Sequence, residues 1–365
     1  MAVRLDDIYI RGTATRLPSV LHVADAVTAG ECPAAIASAT GTLSVSYSPD
    51  ESAAEMGAAA ARTALRRAES GPADIDLILH ADTYHQGQDL WPVASYIQRE
   101  TAGNSCPALE IRQMSNGGTA ALDLASAYLM ADPNRCDALL TTADRFCPPG
   151  IDRWRTDPGT PYADGGTALV LSRRGGYARL LSLEVLADSD LEPLHRGDEP
   201  FGTAPFSNRI PVDFEAAKRA FIGEVGISYA IARAHSGQQT VIKRAMAGAD
   251  MELSDAAWVL LPHFGRRRLK SIYYEPFGID PARTVWGWSR TVGHLGAGDQ
   301  FAGLDHLVVS GQAAPGDRVV LVSVGAGYTW GCAVLEVLDR PHWAASPDRA
   351  GHDPAPVPTP DAPGR

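Results

Sequence analysis

Two short stretches of this sequence bring a nucleophile, a base and a carboxylate up against glycines. In EIRQMSNGGTAALDLASAYLMA, Ser115 stands between an apolar run and a helix whose first turn holds Asn116, Gly117 and Gly118. A serine in that place is often only a helix cap. It can also be a nucleophile, because a helix N-terminus stabilises negative charge and its free N–H groups can hold an oxyanion. The hydrolase elbow G-x-S-x-G is absent, since residue 113 is Gln. In WSRTVGHLGAGDQFAGLDHL, His294 and Asp299 lie across a Gly-rich bend. An aspartate that accepts from one imidazole nitrogen fixes the tautomer, so the other nitrogen can act as a base. Serine needs that help more than cysteine does, because it forms almost no alkoxide at neutral pH.

In AAWVLLPHFGRRRLKS, His263 follows an apolar run at a proline, where a loop would expose it. Arg266, Arg267, Arg268 and Lys270 then gather positive charge in an otherwise acidic chain. The run reads either as a solvated helix face or as a docking patch for an acidic partner. In PGDRVVLVSVGAGYTWGCAVLEV, Gly325-Ala326-Gly327 has the look of a dinucleotide loop. A strand and not a helix follows it, so that reading fails on context. A tight turn presenting a backbone N–H fits better. No metal-ligand spacing is present.

The elements that must position these groups follow an α/β pattern. Strands are predicted at Ile75–His80, Ala138–Thr142, Thr167–Ser172, Ala257–Leu261 and Arg318–Ser323. Helices are predicted at Ser52–Glu69, Gly118–Met130, Ala216–Ala234 and Phe301–Ser310. There is also a weak internal repeat. The run CDALLTTAD follows Ser115 at nearly the distance that GDRVVLVSV follows His294, and each leads through a Gly-rich turn into a strand. A duplicated α/β unit would put Ser115 and His294 at matching positions. We therefore divide the chain into a half carrying the nucleophile (1–185), a half carrying the histidines (186–340) and a Pro/Ala/Asp-rich tail (341–365) read as disordered.

The bulk numbers narrow the classes. The chain has 365 residues, 45% hydrophobic and 21% charged, with a net charge of −11. Such an acidic balance argues against nucleic acid or an anionic membrane as a partner. No apolar run is long enough to span a bilayer and no leader is visible, which predicts a cytoplasmic protein. The five cysteines are scattered and form no C-x-x-C pair.

Together the four blocks, with YADGGTALVLS, resemble the β-ketoacyl-acyl-carrier-protein synthase III family. The resemblance runs over roughly residues 5–340 and implies a five-layered αβαβα thiolase fold with two pseudo-duplicated halves, in a homodimer. It implies that Ala326 supplies an oxyanion-hole N–H beside that of Ser115. It also implies that His263 is a catalytic histidine and that Arg267, Arg268 and Lys270 dock an acyl carrier protein. The sequence departs from the family in a patterned way. Ser115 stands where the family has cysteine, His294 where it has asparagine, and Asp299 where it has a small residue. CPAAIASATGTLS lacks the family's CoA-binding Trp and Arg. These changes are similar to those of a synthase III-like acyltransferase branch of antibiotic and polyketide pathways. The expected reaction moves an acyl group from a carrier-protein or CoA thioester, through acyl-Ser115, to a small-molecule or carrier-bound acceptor. The thioester is substrate, and no cofactor is expected. Two other readings stand beside it: a starter-unit synthase that condenses with malonyl-carrier protein, and an inactive partner subunit of the same fold.

Overall fold

The computed structural model describes residues 3–5 and 7–344. The first half runs β1 (Tyr9–Arg16), α1 (Ala53–Ala68), β2 (Ile75–Ala81), β3 (Ala108–Ile111), α2 (Gly117–Met130), β4 (Asp137–Asp144) and β5 (Gly165–Ser172). The second runs β6 (Ala178–Ala187), α3 (Phe214–Val225), α4 (Ile227–Gly248), β7 (Trp258–Leu260), α5 (Asp299–Val309), β8 (Arg318–Gly325) and β9 (Thr329–Val337). The strand path is β7-β8-β9-β6-β1-β5-β4-β2-β3. Its two parts meet narrowly, through Tyr9 opposite Arg179 and Ile10 opposite Ala178.

The two parts carry the same pattern. β2 and β4 are parallel, and β4, β5 and β1 then follow antiparallel. Likewise β7 and β8 are parallel, and β8, β9 and β6 follow antiparallel. In this correspondence α2 matches α5, and the runs CDALLTTAD and GDRVVLVSV become the matching strands β4 and β8. Residue 185 lies within β6, which pairs with β9 along most of its length, so β6 belongs to the second part of the sheet.

Alternation along the strands builds the layers, because successive side chains leave opposite faces of a sheet. Leu77, Leu79, Leu140, Leu169 and Leu171 share one core with Leu321, Ala333 and Leu335, and Leu122, Leu129, Leu304 and Leu307 of α2 and α5 fill the space between them. The intervening residues face outward. Ile78, Leu139, Ala168 and Val170 meet the alanines of α1. Val320, Val322, Cys332 and Val334 meet Val241, Ile242, Ala245 and Met246 of α4. The result is helix, sheet, helix pair, sheet, helix. A helix buried on every side must be apolar all round. That explains the Gly/Ala/Leu composition of α2.

Two expectations need correction. The helix predicted at Ala216–Ala234 is two helices, broken at Gly226, whose φ of 84° favours glycine. The second of them continues to Gly248 because its apolar face is held by the outer side of β8 and β9. The tail does not begin at 341: Trp343 packs edge-on against Tyr177 and lies under the Arg67 guanidinium. Residues 345–365 lie outside the described residues. Strands β1, β3 and β6 were not predicted. β3 has only four residues, and β1 carries Arg, Thr and Gly through a buried path.

Candidate active site

Ser115 lies in a single tight turn, Met114–Asn116, that leads into α2. The residue before it, Met114, has a φ of 50°. A non-glycine residue in the left-handed region is strained and persists only when its surroundings hold it. The hold comes from the hairpin between β8 and β9. A side chain at Gly325 would strike the Gln113 carbonyl and crowd Asn116. Ser323 Oγ donates to Asn116 Oδ1 at 2.6 Å and lies 2.8 Å from Thr119 Oγ1. The Gly-rich turn thus supports the serine from beneath, and a methyl group there has nowhere to go. Gly325→Ala is expected to displace Ser115 and to cost about 10²-fold in acyl transfer, with the fold kept by circular dichroism.

The helix pair brings the base to the serine. A side chain at Gly118 would strike the Ala297 carbonyl, so the N-termini of α2 and α5 almost touch. His294 is clamped between backbone neighbours: its N–H donates to Pro161 at 2.7 Å, and its carbonyl accepts from Ala163 at 2.8 Å. Its Nε2 lies 2.8 Å from Ser115 Oγ, and its Nδ1 lies 2.6 Å from Asp299 Oδ2. Asp299, the first residue of α5, also accepts from the N–H groups of Leu295 at 2.8 Å and His263 at 2.7 Å. Burial pushes the Asp299 carboxyl up, but His263, His294 and these hydrogen bonds reverse that and hold it below its ordinary value. An ionised Asp299 can only accept, so Nδ1 of His294 carries the proton and Nε2 is left to accept from the serine hydroxyl.

His263 occupies a different place from the one the resemblance implies. It does not line the cavity that contains Ser115 and His294. Its Nδ1 lies 3.0 Å from the Gly293 carbonyl, its ring meets Trp288 edge-on, and its backbone N–H serves Asp299. Burial lowers its pKa, against the opposing pull of Asp299. In this arrangement His263 positions the carboxylate behind His294.

The cavity has a volume of about 690 Å³. Ser115, His294 and Ala326 share its wall with Phe146, Tyr162, Phe214, Phe264, Tyr328 and Trp330. Among the described residues no acceptor takes the Ala326 N–H.

Arg268 corrects a second expectation. Its guanidinium is not on the surface but in the cavity wall, where it grips both carboxylate oxygens of Asp157 at 2.6 and 2.8 Å and also bonds to Thr160. Lys218 adds a third bond to Asp157 at 2.8 Å. Burial alone would raise the Asp157 pKa, but Arg268 and Lys218 hold the carboxyl well below the usual range. Arg266, Arg267 and Lys270 remain exposed. The expected outcomes separate accordingly. Arg268→Met leaves the buried Asp157 carboxylate with only Lys218 and Thr160 as partners and costs about 1–3 kcal/mol of stability. Arg267→Ala leaves the melting temperature unchanged and raises the KM for a carrier-protein substrate in a salt-dependent way. Thermal melts and carrier titrations at two ionic strengths check both. Asp157 itself was missed in the sequence because it carries no local signal: its partner Arg268 is 111 residues away.

Known proteins are similar to this chain in sequence and fold. Residues 246–337 match the family model for the C-terminal part of 3-oxoacyl-[acyl-carrier-protein] synthase III. The β-ketoacyl-[acyl-carrier-protein] synthase III of Sphingopyxis alaskensis is 28% identical over 295 residues, covering 79% of this chain and 85% of the relative. The solved structure of ChlB3, an acyltransferase, is 36% identical with a TM-score of 0.89, covering 93% of this chain and all of that one. The synthase III of Aquifex aeolicus, 21% identical with a TM-score of 0.73 over 90% of this chain and 99% of its own, shares the fold. Fold and duplicated halves define a thiolase-superfamily protein. The chain belongs to the β-ketoacyl-acyl-carrier-protein synthase III-like family. Among the described residues no helix is long and apolar enough to cross a membrane.

Proposed function

We propose that the chain is a cytoplasmic acyltransferase that works through an acyl-Ser115 intermediate. The observation that carries this reading is the continuous line from Ser115 Oγ to His294 Nε2 (2.8 Å) and from His294 Nδ1 to Asp299 Oδ2 (2.6 Å). His294 Nε2 takes the serine proton as Oγ attacks the thioester carbonyl, and Asp299 stabilises the imidazolium that forms. The tetrahedral oxyanion takes the N–H groups of Ser115 and Ala326, each worth roughly 3–4 kcal/mol to the transition state. The C–S bond breaks and His294 returns the proton to the leaving thiol. The acceptor, a hydroxyl, amine or thiol, then gives its proton to His294 and attacks the ester. Collapse restores Ser115.

The donor is an acyl-phosphopantetheine thioester of a carrier protein, with CoA as the lesser source, and the exposed Arg266, Arg267 and Lys270 are the docking patch. Kinship with an acyltransferase supports transfer, and the pathway is one of polyketide or antibiotic assembly. The edge strand β3, with Leu109 about half exposed, supports pairing with a second copy of the chain. Light scattering in solution tests the homodimer. The names of the relatives favour a second reading, condensation with malonyl-carrier protein. In that chemistry a side chain must polarise the malonyl thioester, and here His294 is committed to Ser115 and Asp299. Release of labelled CO₂ from malonyl-carrier protein separates the two readings: acyl transfer without CO₂ is expected, and acyl-dependent CO₂ release overturns it.

A further inference from the structure

The lining of the Ser115 cavity holds two buried polar atoms with no hydrogen-bond partner among the described residues: His195 Nδ1 and Gln238 Nε2. A run of aromatic contacts along the wall links their residues. The His195 ring lies 5.7 Å from that of Tyr328, and Tyr328 lies 5.0 Å from Trp330. Gly237, next to Gln238, sits so close against Trp330 that a side chain there would collide with the indole. The other end of the Gln238 amide is occupied by the Tyr273 hydroxyl at 3.3 Å, which leaves the free end as the anomaly. Buried polar groups are otherwise paired, because leaving them unpaired costs stability. Two in the lining of one cavity point to an occupant that pairs them.

The charges nearby say what kind of occupant. Arg268 and Lys218 are balanced by Asp157 and by Glu215, which lies 3.0 Å from Lys218 Nζ. These four charges cancel, so this part of the wall offers no net charge to an anionic tail. The His195 ring is itself neutral, its pKa brought down to about 4 by burial and by Lys218. An amide N–H needs an acceptor, whereas a neutral imidazole nitrogen takes either role. A hydroxyl can accept from Gln238 and pair with either tautomer of His195, whereas a carbonyl oxygen can do so only when Nδ1 carries the proton.

We infer that the acyl group this site takes carries a hydroxyl away from its thioester carbonyl, held by Gln238 and His195, while the carbonyl sits at Ser115 and Ala326. This deepens the acyltransferase reading and rests on it. The test measures covalent labelling of Ser115 by intact mass, using N-acetylcysteamine thioesters of hexanoate and of its 3-, 4- and 5-hydroxy isomers. At least one hydroxylated thioester is expected to acylate about tenfold or more faster than hexanoyl. Gln238→Leu is expected to erase that preference while leaving the hexanoyl rate nearly unchanged. His195→Phe carries the same test where Gln238→Leu does not fold. Equal rates for all four thioesters overturn the inference. So does a Gln238→Leu chain slowed alike toward every thioester, because the free amide then serves the shared thiol arm. Absence of any Ser115 label from any thioester overturns the acyl-serine reading itself, and this inference with it.

Discussion

A Ser115→Ala chain is expected to fold normally and to transfer acyl groups about 10⁶-fold more slowly than the parent, measured as single-turnover transfer from an acyl-carrier protein. The size of the loss follows from the site's construction. Among the described residues His294 Nε2 has no other side-chain nucleophile beside it, and the glycine turn beneath Met114 holds this one residue in place. Folding should survive, because Ser115 Oγ has His294 as its partner and losing it leaves His294 Nε2 facing a cavity that can admit water. An alanine chain that still transfers at a tenth of the parent rate would mean that the acyl group passes directly between thioesters, with Ser115 as a helix-start residue only.

An Asp299→Asn chain is expected to lose about 10⁴-fold, by the same logic of tautomer control. Asparagine can present its N–H₂ to His294 Nδ1, which puts the ring proton on Nε2, where it can no longer accept from Ser115. The substitution also turns a carboxylate that accepts from His294, His263 and Leu295 into a group with one acceptor oxygen. A second variant isolates the reason. Cysteine is intrinsically far more nucleophilic than serine and needs less help from a base. In a Ser115→Cys background, Asp299→Asn is therefore expected to cost only about 10–100-fold. An equal loss in both backgrounds would assign Asp299 to holding the fold of the α5 N-terminus and not to the imidazole. Stopped acylation assays on the four chains, with melting curves beside them, distinguish the outcomes.

How far the sequence alone carried this site depends on the kind of signal each residue gives. Ser115, His294, Asp299 and Ala326 each stand beside glycines, because each lies where two backbones nearly touch: Gly118 against Ala297, and Gly325 against Gln113. Close approach leaves glycine in the sequence, so the site announces itself. The alternation of strands and helices was legible because buried strands carry short apolar runs such as Val319–Val322, while the five layers followed from the family resemblance. Arg268 and His263 were read as residues and misplaced as side chains. RRRLK looks like an exposed basic face, and only the fold reveals that the third arginine turns inward onto Asp157. PHF looks like an exposed loop, yet Asp299 and Gly293 draw His263 behind the catalytic line. Lys218, Gln238 and His195 lie in ordinary helical or turn sequence. Their significance comes from partners distant along the chain, or from having none, and no local pattern encodes either.

The central claim is that the acyl group rests on Ser115. Mixing the chain with an acyl-loaded carrier protein, quenching in acid, and locating the mass increase by peptide mapping tests it most directly. The account predicts one acyl unit per chain, confined to the peptide holding Met114-Ser115-Asn116, stable to the thiol wash that strips thioesters and gone in Ser115→Ala. An adduct on any cysteine peptide, or transfer to acceptor with the Ser115 peptide unmodified throughout, would contradict it.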